Sequence, residues 1–283
     1  MKKFFVIFAA LVLTVSVLSA CGSSSASSSN GKTRTIKIGI NGDDSDLWRI
    51  IQKQVKGDGI KLKIISFSDY VQPNTALNDG SLDLNAFQTI TYMNQFKKDH
   101  NLDIAAIGST VIAPMGLYSN KYKNLSDIPN GATITIPNDV TNAGRALKLL
   151  QSAKLIKLVD NFDPKGTIDQ IKENPKHLVI KPIAAGQTAR SLDDVAGAVI
   201  NNGFAVQAGL DPSKDPLYKE DPNDKAAMPY INVIAARTKD KNDKDFLKIV
   251  KAYQSKELHD YIIKRDKGAT VPVTISVDKI KNL

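Results

Sequence analysis

The chain has 283 residues, 42% hydrophobic and 24% charged, a globular composition that excludes disorder over most of its length. The formal charge is +9, but the lysines are scattered and rarely interleaved with aromatics, so the charge reads as solubility or proximity to an anionic surface and not as a nucleic-acid track. A single cysteine, Cys21, excludes a disulfide framework and leaves the fold to be held by packing.

Lys2 and Lys3 precede an apolar run from Phe4 to Leu18, which ends in Leu18-Ser19-Ala20-Cys21. A basic start, an apolar stretch and a small-residue cleavage site with cysteine directly after it form the order of a bacterial lipoprotein leader. Residues 1–20 are therefore expected to be removed and Cys21 to be lipidated. The run is shorter than the roughly 20 residues that span a bilayer as a helix, which favours a cleaved leader over a transmembrane anchor. This location, lipid-anchored at the outer face of the cytoplasmic membrane, also argues against a nucleic-acid partner. Removing residues 1–20 leaves 263 residues and, without Lys2 and Lys3, a charge of +7. That length suits one large domain or two moderate ones. Residues 21–32 comprise the lipidated cysteine and a Ser-rich stretch that cannot pack a core and reads as a flexible tether.

After the tether, Thr33 to Ile40 alternates Ile36, Ile38 and Ile40 with polar neighbours, a strand, and Ser45 to Lys56 carries Leu47, Ile50, Ile51 and Gln54 at helical spacing. Lys61 to Phe67 predicts a second strand and Asp69 to Leu77 a short helix with Pro73 in its first turn. A third strand, Leu82 to Phe87, and a third helix, Thr89 to Lys98, follow. Such alternation implies a parallel sheet with helices on its faces. Ile104 to Tyr118 is extended, apolar and broken by Pro114 and Gly116, and reads as a crossing between lobes. Beyond it, strands are predicted at Ala132 to Ile136, Leu178 to Ile183 and Ala196 to Ile200, with a helix at Thr141 to Ala153. Asp211 to Pro229, rich in Asp, Pro and Lys, predicts a surface loop, and Tyr230 to Arg237 a strand returning to the first lobe. Helices at Asp243 to Tyr253 and Ser255 to Arg265 close the chain, and no internal repeat is visible.

Motifs of catalysis are missing. His100, His177 and His259 show no ligand spacing and read as surface residues, and no metal, phosphate-loop, dinucleotide or nucleophile-elbow motif occurs. Asp193 and Asp194, beside Arg190, read as acids at a helix N-terminus. No catalytic residue, metal or cofactor is assigned. An anchored hydrolase or transferase using Asp69, Asp139 or Asp194 is a rival reading, and a partner-binding lipoprotein without a small-molecule site is another.

Two segments carry a binding reading. In Ile134 to Leu150 a buried strand ends at Pro137 and a helix opens near Thr141-Asn142, which places free amides and a positive dipole end at a sheet edge. Arg145, one turn into the helix, is placed to hold a carboxylate through two hydrogen bonds. The competing reading is that Asn142 caps the helix and Arg145 forms a surface ion pair. Tyr70, Phe87 and Tyr92 form the second cluster, either an apolar box at a sheet's carboxyl edge or plain core.

From about Thr33 to the C-terminus the chain resembles the methionine-binding NlpA lipoproteins, the substrate-binding components of ATP-driven amino-acid importers. The resemblance rests on Asp69-Tyr-Val-Gln-Pro-Asn74, Asn85-Ala-Phe-Gln88, Pro137-Asn-Asp-Val-Thr-Asn-Ala-Gly-Arg145, Arg190-Ser-Leu-Asp-Asp194, Ile200-Asn201 and Tyr230-Ile-Asn232. It implies a two-lobed α/β fold of the periplasmic-binding-protein type (type II), with a mixed sheet flanked by helices in each lobe. The lobes are expected at residues 33–115 plus 231–283 and at residues 116–230, with the ligand in the cleft between them. It further implies that Arg145 holds the ligand carboxylate, that Asn142, Asn201 and Asn232 orient its polar groups, and that Tyr70, Phe87, Gln88 and Tyr92 enclose the side chain. A thioether beside aromatic rings gains on the order of 0.3–1.5 kcal/mol per contact. The implied ligand is methionine, L or D, a methionine dipeptide or another apolar amino acid. The implied partners are a permease with its cytoplasmic ATPase, and the implied state is a monomer. One departure stands out: after Gln88 the family continues with histidine and proline before the tyrosine, where this chain has Thr89, Ile90 and Thr91.

Overall fold

Alternating isoleucines make the first strand, β1 (Arg34–Asn41), with Ile36, Ile38 and Ile40 fully buried. The structure, a computed structural model, describes residues 33–42 and 44–283; the expected leader, the lipidated Cys21 and the tether lie outside the described residues. From β1 the chain runs through α1 (Ser45–Lys56), β2 (Ile60–Phe67), α2 (Gln72–Asn78), β3 (Leu84–Thr89), α3 (Ile90–His100) and β4 (Ile104–Ile112). A second set follows: β5 (Gly116–Tyr118), β6 (Thr133–Pro137), α4 (Val140–Ser152), the small ribbon of β7 (Lys157–Leu158) and β8 (Ile171–Glu173), β9 (Val179–Ile183), α5 (Ala185–Thr188), β10 (Gly197–Ile200), α6 (Asn202–Gln207) and β11 (Tyr218–Lys219). The chain ends with β12 (Ile231–Arg237), α7 (Lys244–Tyr253), α8 (Lys256–Arg265), β13 (Val271–Pro272) and α9 (Val277–Ile280).

These strands form two main sheets. The first has the order β13-β4-β12-β3-β1-β2 and the second β11-β5-β10-β6-β9. The first sheet is mixed: β1 runs parallel to β2 and β3, whereas β12 is antiparallel to both β3 and β4. Within this sheet the parallel pairing inferred from strand–helix alternation therefore holds only for the N-terminal strands, while in the second sheet β6 runs parallel to both β9 and β10. The antiparallel pairing of β12 joins positions far apart in the chain and leaves no local signal.

Residues 113–115 carry the chain from β4 in the first sheet to β5 in the second, where Pro114 and Gly116 break the apolar run. The chain returns at β12. The stretch before it is more than the expected loop: β11 pairs antiparallel with β5, and Lys225–Tyr230 form a 3-10 helix capped by Asp224.

Each sheet buries its own core. On one face of the first sheet, Ile36, Ile38 and Leu84 pack with Leu47, Trp48 and Ile51 of α1 and Phe246 and Ile249 of α7. Its other face meets α3 and α9 through Ile90, Met93, Val233 and Ile280. Ile134, Ile136 and Val199 of the second sheet pack against Ala146, Leu147 and Leu150 of α4. Gly144 on that helix lies so close to the Pro164 carbonyl that a Cβ would collide with it, which explains glycine in Asn142-Ala-Gly-Arg145.

Local departures have local causes. α2 starts at Gln72 because the Asp69 carboxylate accepts from Val71 N and Gln72 N, each at 2.8 Å, ahead of the helix. Asp193 and Asp194 are exposed and follow the 3-10 turn Ala189–Ser191, so they do not sit at a helix N-terminus. His100 and His177 are exposed, but His259, on α8, is half-buried. No helix among the described residues is long and apolar enough to cross a membrane.

Candidate functional site

The edges of both sheets open into one cavity of about 140 Å³. At about 10–15 Å³ per water, that is room for roughly ten waters, the scale of one small molecule. All eight ligand residues implied by the resemblance line it: Tyr70, Phe87, Gln88, Tyr92, Asn142, Arg145, Asn201 and Asn232. Elements of the first sheet contribute five of them and the second sheet contributes Asn142, Arg145 and Asn201.

On the side of the second sheet, β6 ends at Pro137 and α4 opens one turn later. Its cap is Asp139, not Asn142: the Asp139 carboxylate accepts from Asn142 N at 3.0 Å and from Thr141 Oγ1 at 3.0 Å. Asn142 Nδ2 donates to both Asp139 oxygens, each at 3.0 Å, and Asn142 Oδ1 accepts from Asn201 Nδ2 at 2.9 Å. This chain of bonds fixes Asn201, whose Oδ1 is buried without a partner among the described residues. A buried carbonyl oxygen without a donor is an unmet acceptor, and Asn201 is one of the residues that line the cavity.

Arg145 is 3% exposed and does not stand alone. Its Nε donates to Glu220 Oε1 at 2.8 Å, and its Nη2 donates to Glu220 Oε2 at 2.5 Å and to the Ala113 carbonyl at 3.0 Å. The guanidinium also lies 4.1 Å from the Tyr230 ring centroid. Burial alone would pull this group down, but the charge and hydrogen bonds of Glu220 override it and hold the guanidinium above its ordinary pKa. Glu220 thus occupies one fork of the arginine, and only Nη1 is left without a protein acceptor among the described residues. The expected two-bond grip of Arg145 on a ligand carboxylate is not available from that fork.

The aromatic cluster lies across the cavity. Tyr70 has ring centroids of Phe87 at 5.6 Å and Tyr92 at 5.7 Å, and the Tyr92 hydroxyl donates to the Tyr70 carbonyl at 3.0 Å. Phe204 of α6 approaches Tyr70 to 4.8 Å, joining the two sheets' sides through ring contact. Burial, reinforced by the Asp139 charge, pushes the Tyr70 and Tyr92 phenols up, so both stay neutral hydrogen-bonding groups at physiological pH.

Gln88 lies in the wall with its amide already engaged. Its Oε1 accepts from Asn74 Nδ2 at 2.7 Å, and its Nε2 donates to Asn74 Oδ1 at 2.7 Å and Asn85 Oδ1 at 3.0 Å. Asn232 has only long contacts, from Nδ2 to the Val111 and Tyr230 carbonyls at 3.4 Å each, and pairs in register with Thr89. Thr89, standing where the family has histidine, caps α3 by accepting from Tyr92 N at 3.1 Å. It also lines the cavity.

Glu220, Phe204 and Asn202 escaped the sequence reading. Glu220 sits in the Asp- and Lys-rich stretch that reads as solvent-facing loop, and no local pattern ties it to Arg145. Asn202 and Phe204 directly follow Ile200-Asn201, so extending that motif by one turn was the available signal. The acids of the rival enzyme reading hold structural posts: Asp69 accepts from Val71 N and Gln72 N in the turn before α2 and Asp139 caps α4, while Asp194 is exposed. Among the described residues no group of three or more His, Cys, Asp or Glu gathers to hold a metal ion.

The chain is similar to known proteins over most of its length. The family model of NlpA lipoproteins matches residues 36–274. A D-methionine-binding lipoprotein MetQ of Yersinia pestis is 41% identical over 240 residues, covering 83% of this chain and 87% of that protein. The crystal structure of protein PG110 from Staphylococcus aureus superposes with a TM-score of 0.85 at 46% identity, covering 87% of this chain and 97% of that one. A nutrient-binding protein from Burkholderia cenocepacia, solved bound to methionine, gives a TM-score of 0.79 at 43% identity, with 84% and 99% covered.

Proposed function

The chain belongs to the NlpA lipoprotein family, and from that premise we propose that it is the extracytoplasmic, membrane-anchored receptor of an ATP-driven importer, binding methionine in its L or D form. The observation that supports this reading most is convergence: the residues implied by the family motifs, spread from Tyr70 to Asn232, line one cavity between two sheets. In this reading the lobes are residues 33–115 with 231–283 and residues 116–230, lipid on Cys21 holds the monomer at the outer face of the cytoplasmic membrane, and the protein returns its ligand unchanged to a permease.

Arg145 Nη1 takes the ligand carboxylate, Asn142, Asn201 and Asn232 orient its polar groups, and Tyr70, Phe87 and Tyr92 enclose the thioether, with Phe204 packed behind Tyr70. Gln88 acts through position: with Asn74 and Asn85 it holds β3 and Phe87 in place. Because ligand contacts come from both lobes, ligand stabilises only the closed arrangement and shifts the population toward it. The cavity's modest volume favours a single amino acid over a longer ligand.

Isothermal titration of ligand-stripped lipoprotein in detergent against L-methionine, D-methionine, a methionine dipeptide and the other amino acids tests the reading. Tight methionine binding that Arg145→Ala weakens by about 2–5 kcal/mol is the expected result. Preference for another apolar amino acid would keep the receptor and move its specificity, and silence across the panel would overturn it.

A further inference from the structure

β2 is an outer strand of the first sheet, paired with β1 on its inner side. Its start, Ile60-Lys-Leu-Lys63, alternates, so Ile60 and Leu62 are buried on one face while Lys61 and Lys63 are exposed on the other. In the parallel register Thr35 lies beside Lys61 and the exposed Lys37 beside Lys63. Lys37 and Lys63 are thus neighbours on strands about 4.8 Å apart, with Lys61 two positions back on the same face. Like charges placed side by side on a sheet repel. The acids around this end of the sheet serve other groups. Asp83 accepts from Lys37 N at 2.8 Å and lies 3.7 Å from Arg237, Asp243 and Asp245 pair with Arg34, and Asp58 pairs with Lys248 at 3.4 Å. Lys37, Lys61 and Lys63 form no ion pair among the described residues.

We propose that Lys37, Lys61 and Lys63 form a docking surface for anionic lipid headgroups of the membrane that carries the protein. This goes beyond the receptor reading and rests on one part of it, the lipid on Cys21. Residues 22–32 join Cys21 to Thr33, which directly precedes β1, and so short a stretch spans at most roughly 40 Å when fully extended. From Thr33 to Lys37 is a further four residues of chain, about 13 Å. An anchor at Cys21 therefore keeps these lysines within reach of the headgroups, and a negative surface relieves the repulsion that the fold leaves uncompensated. All three lysines belong to the first sheet, so docking holds one lobe and leaves the other free to close. Lysines on an outer strand also stop a second chain from adding to the sheet. That role needs no membrane, which makes the two separable.

The test places the full-length lipoprotein on vesicles of phosphatidylcholine alone or of phosphatidylcholine mixed equally with phosphatidylglycerol, both carrying a dansyl acceptor on a few headgroups. Trp48, the chain's single tryptophan, sits in α1 against the first sheet and serves as the energy donor. Transfer is expected to be higher on the anionic vesicles at low salt and to fall to the neutral-vesicle level at high salt. Each lysine shifts the ratio of docked to undocked protein roughly fivefold, so the triple variant Lys37→Gln, Lys61→Gln, Lys63→Gln loses about a hundredfold and shows the neutral-vesicle transfer at low salt as well. Its methionine affinity stays that of wild type, which verifies the fold. Equal transfer on both vesicle types, or a triple variant that transfers like wild type, would overturn the proposal. If the triple variant does not fold or self-associates, the salt dependence of the wild type on anionic vesicles decides. Wild type that fails to float with neutral vesicles would overturn the lipid anchor; flotation with anionic vesicles at low salt, abolished in the triple variant, would then still support the docking surface, and its absence would overturn it.

Discussion

Glu220 meets Arg145 at two points, Nε to Oε1 at 2.8 Å and Nη2 to Oε2 at 2.5 Å, with side-chain exposures of 19% and 3%. A carboxylate from a 3-10-flanked connection thereby neutralises a guanidinium projected from α4, and Glu220 also accepts from Met115 N at 2.7 Å at the crossing between sheets. The cavity's main cation is thus prepaired, and its counter-charge is tied to the segment through which the chain passes from one sheet to the other.

Removing that counter-charge leaves a buried cation. Glu220→Gln is expected to destabilise the ligand-free protein by on the order of 3 kcal/mol, since breaking a buried pair from one side costs more than the pair contributes. Guanidinium chloride unfolding measures it. Saturating methionine restores part of the loss by supplying another carboxylate, and an unfolding midpoint equal to wild type would refute the role.

Asn74, Asn85 and Gln88 form a buried, mutually bonded triad: Asn74 alone makes three amide contacts of 2.7–2.8 Å. Asn74→Ala leaves Gln88 and Asn85 groups unpaired and is expected to cost about 2–4 kcal/mol in urea unfolding. Thr75→Ala, at an exposed neighbour, should stay within about 0.5 kcal/mol.

His259 gives a pH dependence of known sign. Its Nε2 is buried without a partner among the described residues, and desolvation lowers its pKa from 6.5 although Asp260 pulls the other way. The unfolded chain therefore takes up this proton before the native one does. Stability falls as pH drops below about 6.5 and is unaffected by this group above it. His259→Gln should flatten the slope of the unfolding free energy between neutral and mildly acidic pH; an unchanged slope would exclude the histidine as its source.

Away from the crossings, the two sheets' sides are bridged by Lys267 Nζ to Asp211 Oδ2 at 2.8 Å and by Gln207 Nε2 to Asn41 Oδ1 at 2.9 Å. Hydrogen bonds from Lys267 and Ser213 hold the Asp211 carboxyl well below the usual range. Lys267→Ala is expected to lower methionine affinity by a few fold at most, because exposed pairs are weak, and to reduce the salt dependence of that affinity. Titrations at low and high salt separate the two effects, and an unchanged salt slope would show that the bridge does not bias closure.

Much of the cavity wall was legible because its signals are contiguous. Asn85-Ala-Phe-Gln88 and Pro137 to Arg145 each place a strand end, a turn and a helix start in one run of residues, so their side chains are brought to a sheet edge by local geometry. Helices such as α1 and α7 were legible for the same reason, since their apolar spacing repeats within two turns.

What the chain determined by itself is the set of elements and the residues each can offer, because hydrophobic period, turn chemistry and capping act over a few positions. Tertiary structure alone decided the pairings: β12 entering antiparallel between β3 and β4, Asn201 reaching Asn142 from 59 positions away, and Glu220 occupying the fork of Arg145 from 75 positions away. The physical reason is that a buried charge takes whichever counter-charge the packed chain brings within hydrogen-bond reach, and that distance is written in no local stretch of sequence.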